Sequence, residues 1–439
     1  MKERTVYDRP TNSPASSVFV TDGDNRSTLA VVRSLGQAGI TVTVGSPGAR
    51  SLAGSSRWAS AEVSYPSPLT HPSEFRSFMR EHIGRHPYSI LLPMTDVTVQ
   101  LLSTDADFLS QRVLLPLPGT DQVRRVQDKA FVLSEARQLG IGIPQTYWVS
   151  GAAELEALSG RVQYPVVVKP RLSWLLRDGE WGRGGVEYAH NAEELFATYS
   201  RCHAQIPLPL IQEHLEGEGR GVFVLLWRGE LKAAFCHRRI REKPPSGGVS
   251  VYSESVPPND ELIEKSVSLL RRLGWEGPAM VEFKIDAKTG EPKLMEINGR
   301  FWGSLQLAIE AGVNFPVLLY RLAAGEEVQP QMEYSVGTKN RWLLGDLQRL
   351  IMAMKEDGSH TLAAKLRMCL EFFPVYERHG HLEDVQMADM GPFFFECRSA
   401  VRSMFSRLHL ENNKDGGSTS GLASMDDSAA SLISLNPKR

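Results

Sequence analysis

The chain has 439 residues, of which 42% are hydrophobic and 23% charged, and its formal net charge is −2. This composition argues against a disordered, fibrous or nucleic-acid-binding protein. No run of about eighteen apolar residues predicts a membrane span, and the polar start at residues 1–14 is not expected to be a secretory signal. The four cysteines show neither zinc nor disulfide spacing, which favours a reducing, cytoplasmic location.

Residues 15–120 are predicted to form an α/β domain. An apolar strand at 18–21, a helix at 27–38 and a second strand at 40–44 follow each other as a β-α-β unit. Such a unit predicts a parallel sheet. Asp96 follows a later strand and would lie at the edge where open α/β sheets bind ligands.

Residues 121–330 are predicted to form a second domain, which begins with two lysine motifs. Lys129 follows an aspartate at the start of a helix. Lys169 ends a buried, β-branched strand, so its ammonium group needs an anion or a route to water. The loop expected at 171–185 ends in glycines, whose backbone N–H groups can approach phosphate oxygens closely. An ordinary flexible loop explains these glycines equally well.

The apolar stretch at residues 210–215 and the glutamate after it are further candidates. The backbone around Gln212, Glu213 and Leu215 could read the edge of an adenine, and Glu218 could reach a ribose hydroxyl. A plain strand end is an equally good interpretation of the same residues.

The segment 237–248 carries five basic side chains, including Arg238, before a Pro-Pro-Ser-Gly-Gly turn. A charged surface is the usual explanation for such a run. However, the segment directly follows an apolar strand at 231–235. Arginines at such a strand end could stabilise an acyl phosphate and bind a carboxylate, and we favour this functional interpretation.

Two strands at 280–286 and 293–300 are predicted to pair as a hairpin. A three-residue loop at 288–290, with Gly290 in the left-handed conformation, would place Glu282 directly opposite Glu296. Like charges directly opposite each other are destabilising, and a divalent cation between them would reverse the sign of the interaction.

Strand alternation places Glu296, Asn298 and Arg300 on one face of this hairpin. The other face is expected to enter a core and to consist of Val281, Phe283, Ile285, Met295 and Ile297. Carboxylate and amide oxygens suit Mg²⁺ bound together with phosphate oxygens. A solvated polar sheet face is the alternative.

Residues 331–410 are predicted to form a mostly helical C-terminal domain. The remaining segment, 411–439, is rich in Ser, Asn, Asp and Gly and is predicted to be disordered.

Together these motifs resemble the ATP-grasp superfamily, in its carbamoyl-phosphate-synthetase-like and biotin-carboxylase-like branch of carboxylate-amine ligases. The resemblance covers residues from about 17 to 330. It implies a multidomain α/β and α+β fold, with a Rossmann-like pre-ATP-grasp domain at 15–120 and a mostly helical C-terminal extension. The ATP-grasp domain at 121–330 would have two subdomains, with the nucleotide between them and a hinge near 210–216.

The resemblance also implies a role for each candidate residue. The groups expected to bind ATP are Lys129 and Lys169 for the phosphates, Gly184 and Gly185 above them, Gln212, Glu213 and Leu215 for adenine, and Glu218 for ribose. Mg²⁺ or Mn²⁺ would be bound by Glu282, Glu296 and Asn298, and Arg238 and Arg300 would stabilise the phosphorylated intermediate.

The primary hypothesis is an ADP-forming ligase that activates a carboxylate as an acyl phosphate and transfers it to an amine or another nucleophile. An ATP-grasp-type kinase and a non-catalytic ATP-binding sensor or scaffold are the alternatives. The expected partners are small carboxylate and amine substrates, without nucleic acid or membrane, and a homodimer is left open. Specificity is expected to lie near residues 22–26, 95–96 and 238–248.

Overall fold

A computed structural model describes residues 17–355, 361–373 and 379–414. In these ranges the chain forms a parallel four-stranded sheet, an antiparallel four-stranded sheet, a two-stranded hairpin and a seven-stranded sheet. The mixed α/β architecture expected from the sequence is confirmed. No helix within the described ranges is long and apolar enough to cross a membrane.

The N-terminal elements are β1 (Ser17–Val20), α1 (Arg26–Gln37), β2 (Thr41–Ser46), β3 (Ala61–Ser64), α2 (Pro72–Arg85), β4 (Ile90–Leu92), α3 (Asp96–Ser103), α4 (Ala106–Leu109) and α5 (Thr120–Gln127). The strand order β3-β2-β1-β4 is parallel throughout, as predicted. Val18 and Val20 enter one core cluster and Phe19 the other. The strand is therefore buried on both faces, which explains its continuous apolar sequence.

The next elements are α6 (Lys129–Gln138), β5 (Thr146–Tyr147), α7 (Ala152–Ser159), β6 (Val166–Lys169), β7 (Trp174–Arg177), β8 (Glu180–Arg183), β9 (Glu187–Ala189), α8 (Ala192–Gln205) and β10 (Leu210–Glu213). They form a small sheet with the order β5-β10-β6-β9. The prediction of a loop at 171–185 is partly wrong, because strands β7 and β8 form a hairpin within it. This hairpin turns at Asp178 and Gly179, which both have positive φ.

The remaining elements are β11 (Gly217–Trp227), β12 (Glu230–Lys243), β13 (Val249–Ser255), α9 (Asp260–Arg272), β14 (Gly277–Asp286), β15 (Pro292–Asn298), α10 (Leu305–Glu310), α11 (Phe315–Ala323), β16 (Lys339–Arg341), α12 (Leu343–Lys355), α13 (Leu362–Phe372), β17 (Gly380–Leu382) and α14 (Gly391–Lys414). The large sheet has the order β15-β14-β11-β12-β13-β16-β17. One face packs with α9, and the other packs with α10, α11 and the N-terminal helix α1.

The β14–β15 hairpin pairs Glu282 with Glu296, as predicted, but its turn differs from the prediction. Ile285 pairs with Pro292, so the loop is one residue longer than expected, and Gly290 has the predicted left-handed φ of 73°. A β-bulge at Met295 restores the register. Because of this bulge, Leu294 rather than Met295 joins Ile297 in the core.

The C-terminal residues are largely helical, as expected, but β16 and β17 also extend the large sheet. The domain boundaries proposed from the sequence stay predictions. Helix α14 continues to Lys414, four residues into the segment predicted to be disordered from 411, and residues 415–439 lie outside the described residues.

A buried ion pair joins the N-terminal domain to the C-terminal residues. The Arg33 guanidinium donates to the Asp389 carboxylate over 2.8 Å, and the exposed fractions of the two side chains are 2% and 1%. The same carboxylate also accepts from the Ser56 hydroxyl and the Arg57 backbone N–H. Asp389 therefore supplies the counter-charge that the buried Arg33 guanidinium needs.

Replacing Asp389 by alanine should lower the free energy of unfolding by about 3–5 kcal/mol, because Arg33 would stay buried without a counter-charge. Urea denaturation measures this change. Glu81→Ala is the matched control, since its ion pair with Arg85 is exposed and should contribute less than about 1 kcal/mol. Equal losses in the two variants would contradict the expectation.

Candidate active site

Two carboxylates face each other across β14 and β15, and each has a cation beside it. The Glu282 carboxylate accepts from the Arg239 guanidinium over 2.5 Å. The Glu296 carboxylate lies 3.3 Å from the Lys129 ammonium group and accepts from the Asn298 side-chain amide over 3.1 Å. The like charges predicted from the hairpin register are therefore present, and protein cations compensate them.

The two lysines reach this pair from the small sheet and its first helix. Lys129 also donates to the Ser173 hydroxyl over 2.9 Å. Lys169, only 5% exposed at the end of β6, donates to the Met295 carbonyl over 3.3 Å. That carbonyl belongs to the bulged residue of β15, which has no partner in the strand register. The bulge therefore offers Lys169 an acceptor.

Burial and mutual charge give these groups unusual acidities. Burial, aided by the charge of Lys129, lowers the pKa of Lys169 to about 8, although Glu296 and Glu282 oppose this change. Burial alone would raise the pKa of Glu296, but Lys129 and Lys169 lower it to about 2. Burial raises the pKa of Glu282 above its usual value despite Arg239. Added positive charge beside Glu282 would reverse that rise.

The strand next to this pair carries glycines on the same face. Gly221 of β11 is the direct neighbour of Glu282, and Gly219 lies two residues before it. A Cβ atom built on Gly219 would lie 3.1 Å from the Arg239 Cδ atom. The side chains of Phe223, His237 and Arg239 occupy the space that a Cβ atom at these two positions would need, which explains why both residues are glycine.

Arg300 links the carboxylate pair to the N-terminal domain. Its guanidinium binds both Asp96 carboxylate oxygens, over 3.0 and 2.9 Å, and also donates to the Asn298 side-chain oxygen over 3.1 Å. A cavity lies at this junction, and its polar lining residues include Asp96, Gln100, Gln127, Lys129, Ser173, Glu296 and Asn298. The edge predicted to bind ligands therefore adjoins the carboxylate pair.

The glycines predicted to cover phosphates lie beside the end of β6. A Cβ atom on Gly184 would lie 2.5 Å from Pro170, directly after Lys169, whereas Gly185 has open space around it. Trp174 of the preceding hairpin lines the cavity. Trp181 of the same hairpin donates its indole N–H to the Pro68 carbonyl of the N-terminal domain over 2.9 Å. The hairpin therefore covers the cavity and contacts the N-terminal domain.

Arg238 and Glu218 lie on the other face of the large sheet, which corrects two expectations. Arg238 binds Glu254 over 2.7 Å and Glu218 over 3.2 Å. Arg238 pairs with Arg220 of β11. The residue after Arg220 is Gly221, which pairs with Glu282. Because side chains alternate along a strand, Arg220 and Arg238 lie on the face opposite Glu282. Arg239 is therefore the arginine at the carboxylate pair. Only the register between β11 and β12 distinguishes it from Arg238, and the sequence does not show that register.

The three residues expected at adenine differ in their surroundings. The Gln212 side chain is 1% exposed and donates to the Thr146 hydroxyl inside the small sheet, so it faces away from the link between the sheets. Glu213 is the last residue of β10, and Leu215 lies in that link. The Glu213 carboxylate accepts from the Gln145 N–H, and the Leu215 carbonyl accepts from Lys284 over 2.6 Å. The expected contact of the backbone of all three residues with adenine stays a prediction.

The donor set fits Mg²⁺ only if phosphate oxygens complete it. Among the described residues, no group of three or more His, Cys, Asp and Glu side chains is suited to a metal ion. Glu282, Glu296 and the Asn298 amide supply fewer oxygens than the octahedral preference of Mg²⁺ requires. Mg²⁺ usually binds through one or two carboxylates together with substrate phosphates and water, and the residues present match that mode.

Comparison with known proteins supports the ATP-grasp resemblance independently of the motifs. A family described as "ATP-grasp in the biosynthetic pathway with Ter operon" matches residues 205–343. The carbamoyl phosphate synthase large chain of Methanobrevibacter smithii is 26% identical over 269 residues, which are 58% of this chain and 24% of that protein. The chain thus spans about a quarter of the length of the curated relatives it matches.

Two solved structures share the fold. An L-amino acid ligase from Bacillus licheniformis superposes with a TM-score of 0.56 at 17% identity, over 73% of this chain and 78% of that one. The biotin carboxylase domain dimer of the Hydrogenobacter thermophilus 2-oxoglutarate carboxylase, solved with MgADP, ADP and bicarbonate, gives 0.60 at 15% identity, over 74% and 73%. The family match and the curated relatives confirm the resemblance to the ATP-grasp superfamily and to carbamoyl phosphate synthase, and the two solved structures show that the fold is shared.

The pKa of Lys169 predicts how anion binding depends on pH. A phosphate group binds the protonated lysine, so affinity for MgADP should be constant below pH 8 and should fall by up to about tenfold per pH unit above it. Titration calorimetry from neutral pH upward measures this change. Lys169→Arg is the control, because arginine keeps its charge and should remove the pH dependence. A flat profile in the original chain would contradict the assignment of Lys169.

Proposed function

We propose that this chain, which has the ATP-grasp fold, is an ATP-dependent ligase that activates a carboxylate as an acyl phosphate and transfers the acyl group to an amine. The observation that carries the proposal is the meeting of Lys129 and Lys169 with Glu282 and Glu296. Two anionic and two cationic side chains at one partly buried place are suited to binding a polyphosphate with its metal ion.

In this proposal, residues of the small sheet and its neighbouring elements bind the ATP phosphates, and residues of the large sheet bind Mg²⁺. Lys129 and Lys169 would bind the phosphates, while Gly184 and Gly185 would lie over them. Glu213 and Leu215 would contact the adenine at the link between the sheets.

Glu282, Glu296 and Asn298 would bind Mg²⁺, which when bound neutralises charge on the phosphate oxygens. Because the pKa of Glu296 is about 2, its carboxylate is ionised at neutral pH and ready to bind a cation.

The reaction needs two displacements. An oxygen of the substrate carboxylate attacks the γ-phosphorus of ATP while the bond from that phosphorus to the β–γ bridging oxygen breaks, and ADP leaves. The amine nitrogen then attacks the carbonyl carbon of the acyl phosphate, the C–O bond to phosphate breaks, and the amine releases a proton to solvent. No side-chain nucleophile is required, since positioning and charge neutralisation supply the catalysis.

Arg239 and Arg300 would stabilise the charge that develops on the transferred phosphoryl group. Arg239 already contacts Glu282 over 2.5 Å, so it lies beside the proposed metal site. Arg300 lies between Asn298 and Asp96, at the edge of the N-terminal domain. This position favours an acid substrate that binds between the N-terminal domain and the large sheet, where Arg300 can exchange Asp96 for the substrate carboxylate.

The proposed partners are therefore a small carboxylate and a small amine, in the cytoplasm. All four cysteines are free in the structure, in keeping with that location. The alternative functions, a kinase and an ATP-binding sensor, would use the same nucleotide site. The products of the reaction separate them, because only acyl phosphate chemistry is trapped by hydroxylamine.

ADP release should depend on one carboxylic acid when the purified protein is screened with Mg²⁺-ATP against pools of acids. Hydroxylamine should trap the activated acid as a hydroxamate, which a colorimetric assay detects. Glu296→Gln should abolish both signals while the chain still folds, because it removes a metal-binding charge, and circular dichroism checks the fold. Glu81→Gln, on the exposed surface of α2, is the control. Phosphorylation of a hydroxyl without hydroxamate would favour the kinase, and nucleotide binding without turnover would favour the sensor.

Arg239 and Arg238 give a matched pair of variants on opposite faces of one strand. Arg239→Met should lower kcat roughly a hundredfold, as expected when one group that stabilises transition-state charge is lost. Arg238→Met removes only ion pairs on the opposite face of the sheet. It should change kcat by less than about threefold, because an exposed ion pair contributes little free energy. Steady-state ADP release and thermal melting of both variants measure these effects. A larger loss for Arg238→Met would contradict the assignment.

A further inference from the structure

Two neighbouring C-terminal helices expose apolar side chains in rows of identical spacing. Helix α12 exposes Leu347, Ile351 and Met354. Leu366 and Leu370 of α13, continued by Phe373, form the second row, and Leu370 is 63% exposed. Each row advances by four residues and then by three. This is the spacing of a coiled-coil seam, in which each side chain inserts between residues of a facing helix.

The exposed rows are additional to the core faces of these helices. On the inner side of α12, Asp346, Leu350 and Ala353 are buried. The Asp346 carboxylate binds Arg241 of β12 over 2.6 Å and Arg341 of β16 over 2.7 Å. Arg341 also donates to the Phe372 carbonyl at the end of α13 over 2.8 Å. The two helices are therefore fixed to the large sheet, and their outer rows still lack a partner among the described residues.

We propose that this helix pair binds the same helix pair of a second copy of the chain, so that the protein forms a two-fold dimer. A two-fold axis would place the α12 row of each copy against the α13 row of the other, and one contact would satisfy both rows. For the α12 row of one copy to pack against the α13 row of the other, the two rows must have the same length and spacing, as they do. A partner of another kind would need only one of them to match.

The size and charge of the surface agree with self-association. The six side chains expose on the order of several hundred Å², the size at which an apolar patch marks an interaction site and close to the roughly 800 Å² that each partner buries in a stable interface. With a net charge of −2 over 439 residues, two copies repel each other little.

Sedimentation velocity over a wide range of protein concentration tests the proposal. The full chain should sediment as a dimer at micromolar concentration. Leu370→Glu, and separately Ile351→Glu, should raise the dissociation constant of the dimer at least tenfold, because each buries a charge in the contact. Met387→Glu is the control, since this side chain is 87% exposed but lies outside both rows, and it should leave the dimer intact.

Melting temperatures close to that of the original chain would show that the variants fold. A monomer at every concentration would overturn the proposal, and so would a dimer that both glutamate variants leave unchanged. Dissociation in Met387→Glu as well would also overturn it, because the contact would then not be specific to the two rows. None of these outcomes depends on ligase activity, so the proposal stands apart from the proposed function.

Discussion

The direct opposition of Glu282 and Glu296 is the constraint on which the rest of the structure depends. Two carboxylates paired across adjacent strands repel each other, and their partial burial strengthens that repulsion. The fold supplies a separate cation to each, Arg239 from β12 and Lys129 from α6. Since Lys129 belongs to the first helix after the N-terminal domain, the repulsion within one hairpin is compensated from another part of the chain. Charge therefore helps to fix how the small and large sheets meet.

The bulge at Met295 shows how this constraint shapes local structure. The β14–β15 turn is one residue longer than the loop expected from the sequence, and without the bulge Glu282 would not pair with Glu296. The extra residue restores the register and leaves the Met295 carbonyl for Lys169. The predicted register was thus confirmed although the loop prediction was wrong. The reason is physical, because the core positions of Ile297 and Phe283 limit the registers that the hairpin can adopt.

Sequence reasoning succeeded where a short segment determines its own structure. The strand that ends in Lys169, the β-α-β unit and the opposed glutamates follow from local periodicity. It failed where the outcome depends on pairing between distant segments. Arg238 and Arg239 are adjacent in sequence, and only the register with β11 shows which of them faces Glu282. The short strands β16 and β17 have no apolar pattern of their own: β16 pairs with the edge of β13, and β17 then pairs with β16.

A second bulge, at Ile240, connects the candidate active site to the C-terminal helices. Arg239 and Arg241 are two residues apart, so in a regular strand they would share a face. The extra residue between them turns Arg241 to the opposite face, where it stacks on Tyr252 and binds Asp346. One strand thus holds the proposed metal site on one side and helix α12 on the other. Any shift of α12 would act on the strand that positions Arg239, so the C-terminal helices are part of the framework of the site.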